Sequence, residues 1–312
     1  MEKVAYGGWQ NCLKLTNGKI ELIATTDVGP RIIRFGFVGQ DNELHEDAAQ
    51  MGKTGGDEWM GFGGHRLWHA PEAKPRVYFP DNNPVKYEMK GDTLRLMQDV
   101  ETTTGMEKQI DISMSGENHV HVTHKITNRN LWAVEFAPWA LSVMAKGGKA
   151  IFPQEPYSPH PDIPDFPGQK IDPKYYLPVR TLVLWSYTDF ADPRWVFTSK
   201  YIVLKQDPNA ARPQKLGLSN AQDWAAYARN GHLFVKKVTY QPGATYADNG
   251  CNFETFTNSD MLELESLGTL VSLAPGATAE HVEDWYLFDG VNFQDTDESI
   301  DANVLPKVEA AR

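Results

Sequence analysis

The 312 residues are 41% hydrophobic and carry a formal net charge of -11, apolar content enough for one large β domain or two ordinary ones. An acidic chain with scattered lysines and arginines repels a phosphate backbone, so nucleic acid is not an expected partner. No apolar run approaches the roughly 20 residues that cross a bilayer, and only Cys12 and Cys251 are present, which excludes a disulfide framework or a four-cysteine zinc site and leaves one disulfide open. Residues 1–5 lack the apolar core of a secretion signal, so a soluble protein is expected, cytoplasmic, or periplasmic or secreted with a signal removed.

Along the chain the dominant period is two. Residues 19–24, 85–89, 93–97, 109–114 and 119–123 alternate apolar with polar side chains, the pattern of half-buried strands. Turn signals at 16–18, 90–92 and 115–118 are short enough to join sequential antiparallel neighbours. The pattern returns at 201–205, 232–240, 261–265 and 279–287. Helix is expected only as a turn or two at 44–51 and in the charged C-terminal tail. Residues 151–178 contain eight prolines, with Tyr157, His160, Phe166, Tyr175 and Tyr176 among them. Such a segment reads as an ordered loop walling a cleft. The fold class is all-β, one domain over residues 1–312.

The most informative stretch is Gly63-Gly64-His65-Arg66-Leu67-Trp68-His69-Ala70-Pro71-Glu72. A Gly-Gly turn lets a ligand approach the backbone closely, and an Arg and a carboxylate beside a flat indole can grip sugar hydroxyls. The alternative is a loop whose Trp68 plugs the core and whose Arg66 and Glu72 pair at the surface. The spacing of His65, His69 and Glu72 invites a metal, but position 66 is Arg and the flanking Gly-Gly and Ala70-Pro71 leave little room for a helix, so no metal and no cofactor are expected. His119 and His121 share one strand face toward solvent, while His124 faces the other way. After the Asn249-Gly250 turn, Asn252, Glu254 and Phe256 share a face, suited to hydroxyl recognition or to capping neighbouring turns. Cys251 reads as a small buried residue.

Four pieces in order resemble the galactose mutarotase-like (aldose 1-epimerase-like) superfamily: 27–35 with Asn42-Glu43-Leu44, the Gly63-Gly64 turn, Ile126-Thr127-Asn128, and Leu264-Glu265-Ser266 with Leu273-Ala274-Pro275-Gly276. The resemblance spans most of the chain. It implies an antiparallel β-supersandwich with a carbohydrate cleft and a saccharide as ligand. Glu265 matches the family's general base, whereas the position of the general acid His falls near Trp139, whose indole can stack on a sugar but cannot donate a proton at neutral pH. The acid then comes from His65 or His69, or the site performs another reaction, or it binds without reacting. A glycoside hydrolase or lyase would pair Glu265 with Glu135, Glu254 or Glu72; a carbohydrate-binding protein needs only aromatics and amides. The expected site therefore joins Glu265, His65 and His69 as catalytic groups to Arg66, Trp68, Glu72, Trp139, Glu135, Asn252 and Glu254 as binding groups, with His65, Arg66, Trp68 and Glu265 lining one cleft.

Overall fold

In the computed structural model, which describes residues 1–156 and 177–311, each period-two segment forms a strand, though the one expected at 232–240 ends at Lys237. The first part of the chain builds β1 (Glu2–Tyr6), β2 (Trp9–Thr16), β3 (Ile20–Thr25), β4 (Arg31–Phe37) and, after a long excursion, β5 (His65–Ala70). β6 (Lys86–Lys90), β7 (Thr93–Met97), β8 (Met106–Ser115) and β9 (His119–Asn128) follow as a meander, then β10 (Val134–Ala145) and β11 (Lys149–Pro153). Further on come β12 (Leu182–Leu184), β13 (Trp195–Phe197), β14 (Tyr201–Lys205), β15 (Gln214–Leu218), β16 (Trp224–Arg229) and β17 (His232–Lys237). β18 (Phe253–Thr257), β19 (Met261–Leu267), β20 (Val271–Leu273) and β21 (Thr278–Phe288) complete the strands.

Two sheets result. The first runs β1-β2-β3-β4-β5-β10-β19-β18-β15-β12, with β20 beside β10; the second runs β13-β14-β11-β16-β17-β21-β9-β8-β7-β6. Sequential pairing holds in the meanders β1 to β4 and β6 to β9, but the middle of the first sheet joins strands far apart in sequence, β5 to β10 and β10 to β19. Nor are the central strands half-buried: β3, β4 and β5 are buried throughout. One face packs on the second sheet, and loops carrying residues such as Phe62 and Trp59 cover the other. Residues 44–51 are not helical, since Leu44 and Glu46 form bridges to Met144 and Gly63 instead. Helix does form in the tail, as α1 (Asp297–Asn303), capped by the Thr296 side chain, and α2 (Leu305–Ala310). Ile300, Val304 and Val308 lay these helices on the outer face of the second sheet. The proline-rich expectation for 151–178, with Tyr157, His160, Phe166, Tyr175 and Tyr176, lies largely outside the described residues.

Between the sheets Phe35, Phe234 and Trp285 meet with ring centroids 5.5–5.8 Å apart. Beside them lies a buried polar network. The Lys236 ammonium sits 2.8 Å from Glu283 Oε1 and donates to the Leu264 carbonyl at 2.9 Å, and Glu283 also accepts from Trp285 Nε1 at 2.7 Å and from the Ser266 hydroxyl. His124 Nδ1 donates to the His281 carbonyl at 3.0 Å, which leaves its Nε2 to accept from His65 Nε2 at 2.6 Å; His65 Nδ1 then accepts from Ser142 at 2.9 Å. These tautomers leave all four ring nitrogens satisfied. Burial acts to raise the Glu283 pKa, but Lys236 together with the neighbouring His65, His124 and His281 outweighs it and holds this carboxyl below its usual range.

Removing one partner of a buried ion pair leaves an uncompensated charge, which costs about 3–5 kcal/mol, whereas replacing both with apolar groups is close to neutral. Lys236→Met should therefore lower the urea unfolding midpoint strongly, and adding Glu283→Leu should restore most of the loss. A single Lys236→Met variant as stable as the parent would show that the pair does not act as described.

Candidate functional site

Alternation along the central strands of the first sheet sends one set of side chains into the sandwich and the other outward. The outward set includes Arg66 and Trp68 of β5, Trp139 and Leu141 of β10, Glu263 and Glu265 of β19, Glu254 of β18 and Lys215 of β15. Register aligns them: Arg66 faces Leu141, Leu141 faces Glu265, Glu265 faces Glu254, and Glu254 faces Gly217. In an adjoining row Glu263 faces Phe256, which faces Lys215. Gly217 is required because a Cβ there would lie 2.5 Å from Cys251 Sγ and 3.3 Å from the Trp185 ring. The absent side chain leaves the space that Trp185 fills.

The charged groups form two linked sets. Arg66 Nη2 pairs with Glu263 Oε1 at 2.9 Å, and its guanidinium lies 4.5 Å from the Trp68 ring centroid. The Lys215 ammonium is 2.8 Å from Glu254 Oε2 and 3.6 Å from Glu265 Oε2, so these two oxygens lie within the sum of those distances of each other. Glu265 Oε2 also accepts from Trp139 Nε1 at 2.9 Å. Oε1 of both Glu254 and Glu265 lacks a hydrogen-bonding partner. Both carboxyls are fully buried, and burial lifts both well above the ordinary glutamate range against the opposing pull of Lys215. Burial alone would depress Lys215, but Glu265 and Glu254 more than offset it and hold the ammonium above the usual lysine value. A cavity of about 350 Å³ opens onto the Lys215 and Glu254 end of this group, with Asp248, Trp139, Trp185 and Glu72 also in its wall and Glu265 set back from it.

The structure brings Arg66, Trp68, Trp139, Glu254 and Glu265 together and separates the others. His65 and His69 are corrected first: on β5 they alternate with Arg66 and Trp68 and so point between the sheets. There burial holds the His65 imidazole well below its usual pKa and pushes His69 down to about 2, with Lys108 and Arg76 adding to the latter, so neither is a proton donor at neutral pH. Asn252 precedes β18 and exchanges hydrogen bonds of 2.7 and 2.8 Å with the Asn220 backbone; it braces a turn, the capping alternative. Glu135 is exposed near the far end of β10, opposite Ser272. Glu72 is exposed at the cavity rim and accepts from Tyr78, while Arg66 takes Glu263 as its partner. Trp139 is only 1% exposed and lies against Trp68 and Lys215, with centroid distances of 5.4 and 4.9 Å. Its observed contribution is a hydrogen bond to Glu265 rather than an open stacking face.

The Gly-Gly turn is also corrected. Both glycines take positive φ, 87° and 73°, but what approaches them is the chain itself: a Cβ would meet His45 O at 2.1 Å and Ile32 O at 2.2 Å. Arg31 clamps this loop, donating to the Gly61 and Gly63 carbonyls and to Asp81, each at 2.8 Å. Cys12 and Cys251 are both free and buried. Lys215 and Trp185 were not anticipated. A lysine and a glycine alternating with Leu216 and Leu218 in one short strand was the available signal for the first; Trp185 had none.

No protein-family model matches the sequence, and comparison with curated proteins finds no match. Solved structures do match in shape. A galactose mutarotase-like protein from Lactobacillus casei ATCC 334 is 10% identical with TM-score 0.53, covering 89% of this chain and all (100%) of that one. A galactose mutarotase related enzyme from Lactobacillus acidophilus is 10% identical with TM-score 0.51, covering 92% and 99%. A TPR-domain containing protein from Parabacteroides distasonis ATCC 8503 is 12% identical with TM-score 0.55, covering 91% of this chain and 48% of that one. The chain has the galactose mutarotase-like fold, an antiparallel β-supersandwich.

Proposed function

We propose that the chain acts on a saccharide at its anomeric centre, with Glu265 as general base and Glu254 as general acid. The observation that carries this reading is the pair of buried carboxyls flanking one ammonium beside a cavity walled by indoles. Glu254, Glu265 and the adjoining Asp248 carry more negative charge than the single Lys215 ammonium can balance, so this buried group retains a proton and holds a donor and an acceptor together near neutral pH. Glu265 takes the proton of the anomeric hydroxyl while Glu254 gives one to the ring oxygen; the ring C–O bond breaks, and reclosure on the other face returns both protons. Arg66 and Glu263 suit hydroxyl recognition, and Trp185 offers a flat apolar wall. The fold shared with mutarotase-like proteins supports a sugar as the ligand, in keeping with the resemblance.

Cleavage of a glycosidic bond is the second reading, favoured by the separation of the carboxyls. The Oε2 atoms share the Lys215 ammonium at 2.8 and 3.6 Å, a contact that holds them below or at the edge of the roughly 6.5–9.5 Å that admits a water in inverting enzymes. If cleavage occurs, it should proceed with retention.

Anomer exchange followed by NMR on a panel of aldoses, alongside release of aglycone from aryl glycosides, separates these readings. Glu265→Gln and Glu254→Gln should each lower turnover by at least about a hundredfold, the scale of general acid–base catalysis, with little change in saccharide affinity. Saccharide binding without exchange or cleavage in the unmodified protein would leave a binding protein and overturn the catalytic reading.

The pH profile is a further check. Because burial raises both carboxyls, the acidic limb of activity should lie above the ordinary glutamate range rather than near pH 4–5. The Trp139 N–H favours the ionised form of Glu265, so Trp139→Phe should move that limb to higher pH. A limb unchanged by this substitution would mean that another group sets it.

A further inference from the structure

We infer that the outer face of the second sheet carries a binding site for a divalent transition cation of the zinc class, built from His119, His121 and Asp284. β9 and β21 are antiparallel neighbours, with His121 facing Asp284 and His119 facing Tyr286. Period two places the two imidazoles on the same face, and Asp284 reaches both from the adjoining strand. His119 Nε2 lies 2.7 Å and His121 Nδ1 2.8 Å from Asp284 Oδ1, and the three donor atoms are all within 4.8 Å of one another. Tetrahedral zinc with bonds near 2.0–2.1 Å separates its donors by roughly 3.3 Å, so small rotations of these half-exposed side chains would open the space for the ion.

The surroundings fit a ligand set. The ring nitrogen of His119 away from Asp284 lies 2.6 Å from Ser115 Oγ, and that of His121 lies 3.3 Å from Thr123 Oγ1. Such outer partners fix tautomer and ring orientation in metal sites. Tyr286 stacks on the His119 ring at 4.5 Å and 11°, limiting its swing. Among the described residues the ion-pair partners of Asp284 are these two imidazoles alone, and Lys237, which faces Asp284 across β17, gives its ammonium to the Ala311 carbonyl at 2.8 Å. Asp284 and Tyr286 also line an open cavity of about 550 Å³. Three protein ligands leave a fourth position for water or an oxygen ligand entering there.

The interior trio His65, His124 and Glu283 has similar composition but a different character. Its histidine nitrogens already form a closed hydrogen-bonded chain, and Lys236 supplies the positive charge that Glu283 needs.

The test is calorimetric titration of the tag-free, chelator-treated full chain with zinc alone, and with cobalt to read the visible spectrum. One equivalent should bind, and bound cobalt should show ligand-field bands without thiolate charge transfer. His121→Ala and Asp284→Asn should abolish stoichiometric binding, and Ser115→Ala should weaken it by about tenfold. Absence of binding up to millimolar zinc, or equal binding by the His121→Ala and Asp284→Asn variants, would overturn the assignment. Should either variant fail to fold, imidazole NMR of the unmodified chain decides: zinc-induced shifts at His119 and His121 support the site, and shifts confined to other histidines refute it. The site lies on the opposite sheet from Glu254 and Glu265, so its failure leaves the proposed function standing.

Discussion

The Lys215 ammonium, set between Glu254 and Glu265 and shut from water, is the constraint on which the outer face of the first sheet depends. Taking one ion out of water costs several kcal/mol even after relaxation, and Coulombic attraction repays it only where the geometry is close. One ammonium can compensate one carboxylate. The other carboxyl must find a second cation or keep its proton, and the neighbouring Arg66 guanidinium is paired with Glu263. By neutralising each other, Arg66 and Glu263 leave the Lys215 cluster to balance its own charge.

The same strands serve both faces, which couples the site to the core. β19 sends Glu263 and Glu265 outward while Leu264 and Ser266 point inward, and the Leu264 carbonyl accepts from Lys236 behind the sheet. Ser266 in turn contacts His281 and Glu283. A slip of one residue in this strand would exchange the two sets, burying acids among leucines. The polar network between the sheets thus holds the same strand that carries the carboxyls on the far side.

Much of the fold was legible because period-two alternation is a local property: 93–97 and 201–205 appear as strands with those bounds. The non-sequential pairings β5 to β10 and β10 to β19 were not legible, since nothing local in His65-Arg66-Leu67 names a partner strand. At the site, alternation alone decided the outcome for residues 65–69. The cluster of chemically rich side chains after the Gly-Gly turn suggests convergence on one ligand, but it is a strand, so half of it belongs to the core. Glu265 and Glu254 were singled out by different signals, the Leu-Glu-Ser piece and the Asn-Gly turn, and only register shows that they face each other. Lys215 escaped notice because a lone lysine in a strand usually marks a solvent-facing position; here the covering indoles reverse that.

The fold by itself leaves the chemistry open, as its occurrence within a TPR-domain containing protein illustrates. Under the proposed reading, the departure at Trp139 and the presence of Lys215 belong to one change. An imidazole donates a proton near neutrality with its ordinary pKa, in a pocket that can stay wet. A carboxyl can take over that task only if its pKa is driven upward, which requires burial, and a buried pair of acids requires a cation to remain folded. The buried Trp139 fills its position with an indole and gives Glu265 a hydrogen-bond donor that cannot itself titrate. On that reading Glu254 would supply the proton that the indole cannot, while Lys215 keeps two acids together in a space where neither is solvated.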